Sequence, residues 1–277
     1  MKYKLVCIDM DGTLLGKNHS ISDENIDALK RAYNKGIVIA ICTGRLFYSA
    51  MQYSSVLNIN GPIIASNGTY IRERDSKSEL YKNPLTTEEV SVICDILEKN
   101  NIKFYYINTF DTAMSKNEFP KDHAYVIANE KFKFEKKIQL IVDDNILKHV
   151  KEHSKNVLKV IAIEKEDKEK LRKVKEELRK LNMFEVVSSG EENVEIMKKG
   201  SSKGKAVKIL AEKLNIKRKE IICIGDNEND ISMIKYAGLG IAVANGIDDL
   251  KNEADYVTDT NLNNGVAKAI HKFILDK

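Results

Sequence analysis

The sequence KLVCIDMDGTL, residues 4–14, joins a short apolar run to an acidic, glycine-containing end. The run Lys4–Asp9 is too short for an independent helix, and apolar runs of this length fit strands that are buried on both faces. Runs of the same character occur at Ile37–Thr43, Pro62–Ser66, Glu220–Asp226 and Gly240–Ala244. They predict the central strands of a sheet.

Helical patterns lie between these predicted strands. Asp23–Lys35 has apolar side chains at helical spacing, with Ser22 as its N-cap and Gly36 as its end, and Lys203–Leu214 repeats the pattern. This alternation predicts an α/β fold with a doubly wound, mostly parallel, Rossmann-like sheet.

The middle of the chain lacks the Asp- and Gly-rich strand ends of the flanking segments. We therefore predict an inserted α+β cap domain over residues 84–190, and a core domain made of residues 1–83 and 191–277. The strands predicted in the insertion are Lys103–Asn108, Lys137–Val142, Val157–Ile163 and Phe184–Val187, and its predicted helices are Thr86–Lys99, Asp144–Glu152 and Lys165–Leu181.

Composition narrows the class of protein. The 45 basic and 41 acidic residues give a net charge of +4, which is not the footprint of a nucleic-acid binder. No apolar run approaches the ~18 residues of a membrane helix, so we expect no membrane association. The cysteines Cys7, Cys42, Cys94 and Cys223 form no CxxC pair, which favours a reducing, cytoplasmic location.

Asp9 and Asp11 lie two residues apart in extended chain, so their carboxylates point the same way. Their repulsion calls for a cation, and Mg²⁺ prefers carboxylate and phosphate oxygens. One carboxylate could then attack phosphorus while the other handles the proton of the leaving group. For this segment alone, an acidic strand end capped by a glycine turn is the alternative.

Four further polar segments follow predicted strands or open a predicted helix. They are Thr43-Gly44-Arg45, Ser66-Asn67-Gly68, Ser202-Lys203-Gly204 and the acidic segment Gly225–Asp230. Taken singly, an ordinary strand exit or a surface lysine explains the first three. Because ligands of open parallel sheets bind at the carboxyl ends of the strands, their shared position favours one site that binds phosphate and Mg²⁺.

DMDGTL at 9–14, TGR at 43–45, SKG at 202–204 and GDNEND at 225–230 resemble the four motifs of the haloacid dehalogenase-like (HAD) superfamily. The inserted segment resembles the type IIB cap of the Cof-type phosphatases in position and size. The resemblance implies a Mg²⁺-dependent phosphatase that hydrolyses small phosphate monoesters through an aspartyl phosphate. Its partner would be a small phosphorylated metabolite: a sugar phosphate, a nucleotide or a phosphorylated cofactor.

The same resemblance implies a role for each matched residue. Asp9 would be the nucleophile and Asp11 the general acid and then the base. Mg²⁺ would be held by Asp9, the backbone carbonyl of Asp11 and Asp226, with Asp230 orienting these ligands. The residues implied to hold phosphoryl oxygens are Met10, Thr43, Gly44, Lys203 and Asn229, and those that could contact the substrate are Arg45, Asn67 and Gly68.

Two other functions fit the same motifs. A phosphomutase shares the aspartyl-phosphate step but needs an activating bisphosphate. A phospho-accepting regulatory module also clusters acidic residues at strand ends around Mg²⁺, although it does not need a large inserted domain. The oligomeric state is left open by the sequence.

Overall fold

The computed structural model describes residues 2–132 and 137–276 of the chain. Within these residues the strands are β1 Leu5–Ile8, β2 Val38–Cys42, β3 Pro62–Ala65, β4 Tyr70–Glu73, β5 Glu79–Lys82, β6 Phe104–Asn108, β7 Thr112–Ser115, β8 Gln139–Val142, β9 Lys159–Ile163, β10 Phe184–Val187, β11 Asn193–Lys198, β12 Ile221–Gly225, β13 Leu239–Ala242 and β14 Tyr256–Val257.

The helices lie mostly between these strands. They are α1 Asp23–Asn34, α2 Phe47–Ser54, α3 Thr87–Lys99, α4 Ala124–Lys131, α5 Ile146–Glu152, α6 Lys168–Lys180, α7 Lys203–Lys213, α8 Ile231–Tyr236, α9 Asp248–Glu253 and α10 Gly265–Ile270, which continues as a π-helical turn over His271–Leu275. Short 3₁₀ turns cover Lys17–His19, Ser55–Leu57, Ser66–Gly68, Arg218–Glu220, Glu228–Asp230 and Asn261–Asn263.

The first sheet has the strand order β14-β13-β12-β1-β2-β3-β4-β5. Its strands pair in parallel from β14 to β3, and β4 and β5 are added antiparallel at one edge. Along the central strand β1, Val6 and Ile8 share a buried cluster with α1 and α10, whereas Leu5 and Cys7 share one with α7 and α8. Helices therefore cover both faces, which confirms the predicted doubly wound α/β fold.

The second sheet has the order β10-β11-β9-β6-β7-β8. One face is buried under α3, α5 and α6, and residues of the other face, such as Tyr106 and Ile161, join the cluster of the first sheet. We call the first sheet with its helices the core unit, and β6–β11 with α3–α6 the inserted unit.

The end of the insertion differs from the prediction. Strand β11, Asn193–Lys198, pairs antiparallel with both β9 and β10, so the predicted return to the core at residue 191 is too early. Residues 188–192 resemble a boundary because they are polar, but they form the connection between β10 and β11. The chain leaves the core unit beside Asn83 and returns beside Ser201, and a 2.8 Å hydrogen bond joins these two side chains.

None of the helices within residues 2–132 and 137–276 combines the length and apolar character needed to cross a membrane.

Candidate active site

Three buried carboxylates meet at the carboxyl edge of the first sheet. Asp9 follows β1, and Asp226 follows β12, its neighbour in the sheet. Asp230 ends the short turn after Asp226, and oxygens of all three carboxylates lie within 4.8 Å of one another. The predicted convergence of acidic strand ends is therefore present in the structure.

Lys203 is the cation of this cluster. Its fully buried Nζ lies 2.6 Å from Oδ1 of Asp9 and 2.6 Å from Oδ1 of Asp230. Burial alone would lower the pKa of Lys203, but Asp230 and Asp9 raise it well above its ordinary value. These two carboxylates explain a lysine in the first turn of α7, where the helix dipole disfavours a positive charge.

The cluster contains more carboxylates than cations. Burial and the neighbouring Asp230 raise the pKa of Asp9 well above its ordinary value, although Lys203 acts in the opposite direction. Burial and Asp230 also raise the pKa of Asp226 to about 6. Three carboxylates facing one lysine fit a bound divalent cation, which would stabilise their ionised forms.

The hydrogen bonds indicate which carboxylates are available to bind a metal ion and which one orients its neighbours. Asp230 uses Oδ1 for Lys203, and its Oδ2 accepts from the backbone N–H groups of Asp226 at 3.0 Å and Asn227 at 3.1 Å. Asp226 Oδ1 accepts a 2.6 Å hydrogen bond from Thr13. The geometry therefore suits Asp9 and Asp226 as direct Mg²⁺ ligands, with Asp230 orienting the loop that carries Asp226.

Gly12 leaves room for this loop. Its φ of +82° is a left-handed conformation, and a Cβ on Gly12 would lie 2.4 Å from Oδ2 of Asp226. A side chain at this position would therefore displace the Asp226 carboxylate.

Asp11 is paired with Arg45. The guanidinium Nε and a terminal nitrogen donate to the two carboxylate oxygens at 2.7 and 2.6 Å, and the same guanidinium stacks 4.5 Å from the ring centre of Tyr53. Loss of hydration would raise the pKa of Asp11, but the charge and hydrogen bonds of Arg45 outweigh it and hold the pKa below its ordinary value. Asp11 is thus ionised while it is paired with Arg45.

The remaining residues of the predicted site occupy neighbouring loops. Thr43 Oγ1 accepts from the backbone N–H of Arg45 at 3.1 Å, and Asn229 Nδ2 donates to Asn67 Oδ1 at 3.1 Å. A Cβ on Gly68 would lie 2.3 Å from the carbonyl oxygen of Ser202, so Gly68 allows its loop to pack against the start of α7.

Met10 contributes its backbone to the turn after β1. Its side chain is buried in the core, and its carbonyl accepts from the N–H groups of Leu14 at 3.0 Å and Leu15 at 2.8 Å.

A cavity of about 220 Å³ lies between the two units over these residues. The core unit contributes Asp9, Asp11, Gly44, Arg45 and Asn229. Asn227 of the predicted acidic segment and Tyr106 also line it, and the lining residues that the sequence did not indicate are His19, Ala124, Tyr125, Lys159, Ile161, Ile163, Ser189, Asn193 and Glu195. Lys159 and Glu195 carried a signal, because each charge has apolar neighbours in the sequence, Leu158 and Val160 for Lys159 and Val194 and Ile196 for Glu195.

With this geometry described, the chain can be compared with known proteins. The family model of the haloacid dehalogenase-like hydrolases matches residues 6–270, so the chain belongs to this family. The chain is 34% identical over 276 residues to 5-amino-6-(5-phospho-D-ribitylamino)uracil phosphatase YcsE of Bacillus subtilis, covering 98% of this chain and 96% of that protein.

Solved structures agree with this result. A haloacid dehalogenase-like hydrolase from B. subtilis superimposes with a TM-score of 0.85 at 28% identity, covering 99% of this chain and 100% of that one. A sugar phosphatase of HAD subclass IIB superimposes with a TM-score of 0.79 at 26% identity, covering 98% of each chain.

These likenesses confirm a Cof-type HAD hydrolase with a type IIB cap. The protein is a phosphatase that hydrolyses phosphate monoesters, and it acts on phosphorylated substrates. HAD enzymes generally use Mg²⁺, and the carboxylates of Asp9, Asp226 and Asp230 form a cluster that could hold such an ion.

Proposed function

We propose that this protein is a Mg²⁺-dependent phosphatase for small phosphate monoesters, with Asp9 as the nucleophile. The observation that carries the proposal is the buried cluster in which Lys203 is paired with both Asp9 and Asp230, beside Asp226. Asp9 and Asp11 of this site both line the cavity. The substrates proposed are sugar phosphates, nucleotides or phosphorylated cofactors.

In the first step, an oxygen of Asp9 attacks phosphorus and the ester P–O bond breaks. The electron pair of that bond leaves with the alcohol oxygen, which takes a proton from Asp11. Lys203 reduces the repulsion between Asp9 and the phosphate dianion. Mg²⁺, when bound by Asp9, Asp226 and the Asp11 carbonyl, would supply further positive charge to the transferring phosphoryl group.

In the second step, Asp11 takes a proton from water as the water oxygen attacks phosphorus. The bond between phosphorus and Asp9 breaks, which releases inorganic phosphate and restores the carboxylate. The phosphoryl oxygens are held by Lys203, Asn229 and the loop segments at Met10 and Thr43-Gly44. The observed Arg45 pair suits Asp11 as this base, and donation in the first step requires Asp11 to separate from Arg45 and to take up a proton from solvent before it contacts the leaving group.

The proposed substrate size follows from the cavity. A space of about 220 Å³, lined by charged, polar and apolar side chains of both units, suits a phosphate with a small leaving group. Contacts from the inserted unit would select that group, and Arg45 would contact it from the core side.

The test is phosphate release from a panel of small phosphate esters, with Mg²⁺ and with EDTA. We expect Asp9→Asn to lower the rate by roughly 1,000-fold or more, because an amide cannot form the covalent intermediate. Asp27→Asn, which removes an exposed carboxylate of α1, is the matched control and should keep the wild-type rate. Wild-type turnover by Asp9→Asn would refute the mechanism.

The same assay addresses the alternatives. A mutase would convert one isomer into another without releasing phosphate, and a regulatory module would hold the phosphorylated form. The named phosphatases among the relatives support hydrolysis. All four cysteines are free and buried, which supports the cytoplasmic location that we propose.

A further inference from the structure

We propose that Lys159 and Glu195 of the inserted unit are positioning residues that complete the phosphate-binding side of the site across the interface. This inference rests on the proposed function, because it concerns how the same site is assembled. It assigns to the inserted unit a role in catalysis that is independent of the leaving group.

Lys159 and Glu195 form a buried ion pair on the sheet face that looks toward the core. They lie on the neighbouring strands β9 and β11, their exposed fractions are 2% and 5%, and Lys159 Nζ lies 3.1 Å from Glu195 Oε1. Charges buried to this degree are retained only when they are paired and hydrogen-bonded. Each has a further polar partner in the core unit, and Glu195 Oε1 also accepts a 3.0 Å hydrogen bond from Ser189 Oγ of the inserted unit.

Lys159 is hydrogen-bonded to the loop that follows β2 of the core unit. Its Nζ donates a hydrogen bond to the carbonyl oxygen of Gly44, the residue between Thr43 and Arg45. A Cβ on Gly44 would lie 3.4 Å from both Lys159 Nζ and Glu195 Oε2, so the ion pair sits directly against this backbone. The loop proposed to bind phosphate is thus tied to the inserted unit.

Glu195 is hydrogen-bonded to the loop that follows β3 of the core unit. Its Oε2 accepts a hydrogen bond from Asn67 Nδ2, and Asn67 Oδ1 in turn accepts from Asn229 Nδ2 at 3.1 Å. The carboxylate fixes the orientation of the Asn67 amide, because a carboxylate accepts only from the NH₂ side. Asn67 must then present its oxygen to Asn229, which orients a side chain proposed to bind phosphate.

The loop around Asn67 needs such an external partner. Ser66, Asn67 and Gly68 have φ angles of +49°, +55° and +91°, and non-glycine residues rarely adopt this region. A strained backbone persists where the surrounding structure over-determines it. Glu195 supplies a buried contact that holds Asn67 in this conformation.

These contacts distinguish positioning from substrate selection. Lys159 and Glu195 act on Gly44 and Asn67, which belong to loops that face the phosphoryl group of every substrate. Their loss should therefore lower the turnover of all esters by the same factor. A residue that contacts the leaving group would instead change the order of preference among esters.

The experiment compares Glu195→Gln, Lys159→Met and the double variant with the wild type. The readouts are kcat/KM over the ester panel, the binding of inorganic phosphate by calorimetry with Mg²⁺ present, and the melting temperature. We expect Glu195→Gln to lower kcat/KM by roughly 10–100-fold on every ester and to weaken phosphate binding. Arg172→Gln, which removes an exposed cation of α6, is the matched control and should match the wild type.

The double variant separates a positioning role from a purely structural one. It leaves no unpaired buried charge, so we expect its melting temperature to recover while its kcat/KM and phosphate binding stay low. Recovery of both would overturn the proposal, as would unchanged turnover in the single variants or a changed order among the esters. If the wild type hydrolyses no ester, the proposed function fails, and phosphate binding by wild type and Glu195→Gln still tests this inference.

Discussion

At the residue scale, Gly12 and Gly36 form a natural comparison. Both have left-handed φ angles, +82° and +85°, but a Cβ on Gly12 meets Asp226 at 2.4 Å whereas one on Gly36 meets nothing within 4 Å. A left-handed conformation costs an alanine about 1–2 kcal/mol. Any effect of Gly12→Ala beyond that of Gly36→Ala therefore reports the displacement of Asp226.

We expect Gly36→Ala to lower stability by about 1–2 kcal/mol with full activity. Gly12→Ala should lose more stability and should weaken Mg²⁺ activation by roughly 10–100-fold, because a ligand-bearing loop is pushed away. Denaturant unfolding and Mg²⁺ titration of phosphatase activity measure the two effects. Equal Mg²⁺ requirements in the two variants would contradict the placement of Asp226 at the metal.

The buried carboxylates predict a pH-dependent effect of Mg²⁺ on stability. The pKa of Asp226 rises from 3.8 to about 6 on folding, so the metal-free folded protein binds this proton more tightly than the unfolded chain. Its stability should therefore fall as the pH rises between these values, and the penalty should be complete above about pH 6. Mg²⁺ should remove that penalty by pairing with the ionised carboxylate.

We expect Mg²⁺ to raise the melting temperature by roughly 5 °C more at about pH 7.5 than at about pH 5. The measurement is thermal unfolding with Mg²⁺ and with EDTA at each pH. In Asp226→Asn, the rise in melting temperature caused by Mg²⁺ should differ less between the two pH values. A Mg²⁺ effect of the same size at both pH values in the wild type would count against this account.

The sequence predicted the meeting of Asp9 and Asp226, because residues at the carboxyl ends of parallel strands share one edge of the sheet. Lys203 begins a helix and was grouped with them by the order of the motifs. Their chemical roles stay predictions. The pairing of Asp11 with Arg45 was beyond the sequence, since it depends on side-chain orientation. Glu195 was missed because a charge between apolar residues becomes informative only when the surface opposite it is known.

At the element scale, strands of both units were recovered where the sequence has an apolar run, and Phe184–Val187 was predicted with its observed bounds. Strands β1, β2, β3 and β12 were predicted to within two residues at each end, because a parallel strand between two helical layers is a continuous apolar run. Strands β4, β5, β7, β11 and β14 were missed, since each is very short or contains polar residues, so that no continuous apolar run marks it.

Helix α3 offers a test of local stability in the inserted unit. Its N-cap Thr86 accepts from the N–H of Glu89 at 3.2 Å, and the Glu89 carboxylate accepts from the N–H of Thr86 at 2.8 Å. We expect Thr86→Ala to lower the free energy of unfolding by about 1 kcal/mol without changing kcat. Thr86→Ser keeps the hydroxyl and should retain most of that stability in the same denaturant titration.

At the scale of the whole molecule, both units line the cavity, so we expect the contacts between them to influence the access of a substrate. One such contact joins α6 to the acidic loop after β12. Lys175 and Arg179 lie 2.6 and 2.9 Å from the carboxylate of Glu228, which precedes Asn229. These ion pairs are partly exposed, so salt should weaken them.

We expect Lys175→Met to raise KM by roughly 2–10-fold and to make KM less sensitive to salt, because the closed arrangement loses an ionic contact. Steady-state kinetics over a series of salt concentrations measures this. Lys173→Met, on the same helix, provides the comparison. An unchanged salt dependence in Lys175→Met would show that this ion pair does not govern closure.

The hydrogen bond between Asn83 and Ser201 places the two ends of the inserted segment side by side. A segment whose ends meet can be exchanged without stretching the backbone that it interrupts. The core unit can thus accept a different insert by grafting at this one junction. Diversification of such enzymes then needs no change in the strands that carry the aspartates, provided that a new insert keeps the buried charges that contact Gly44 and Asn67.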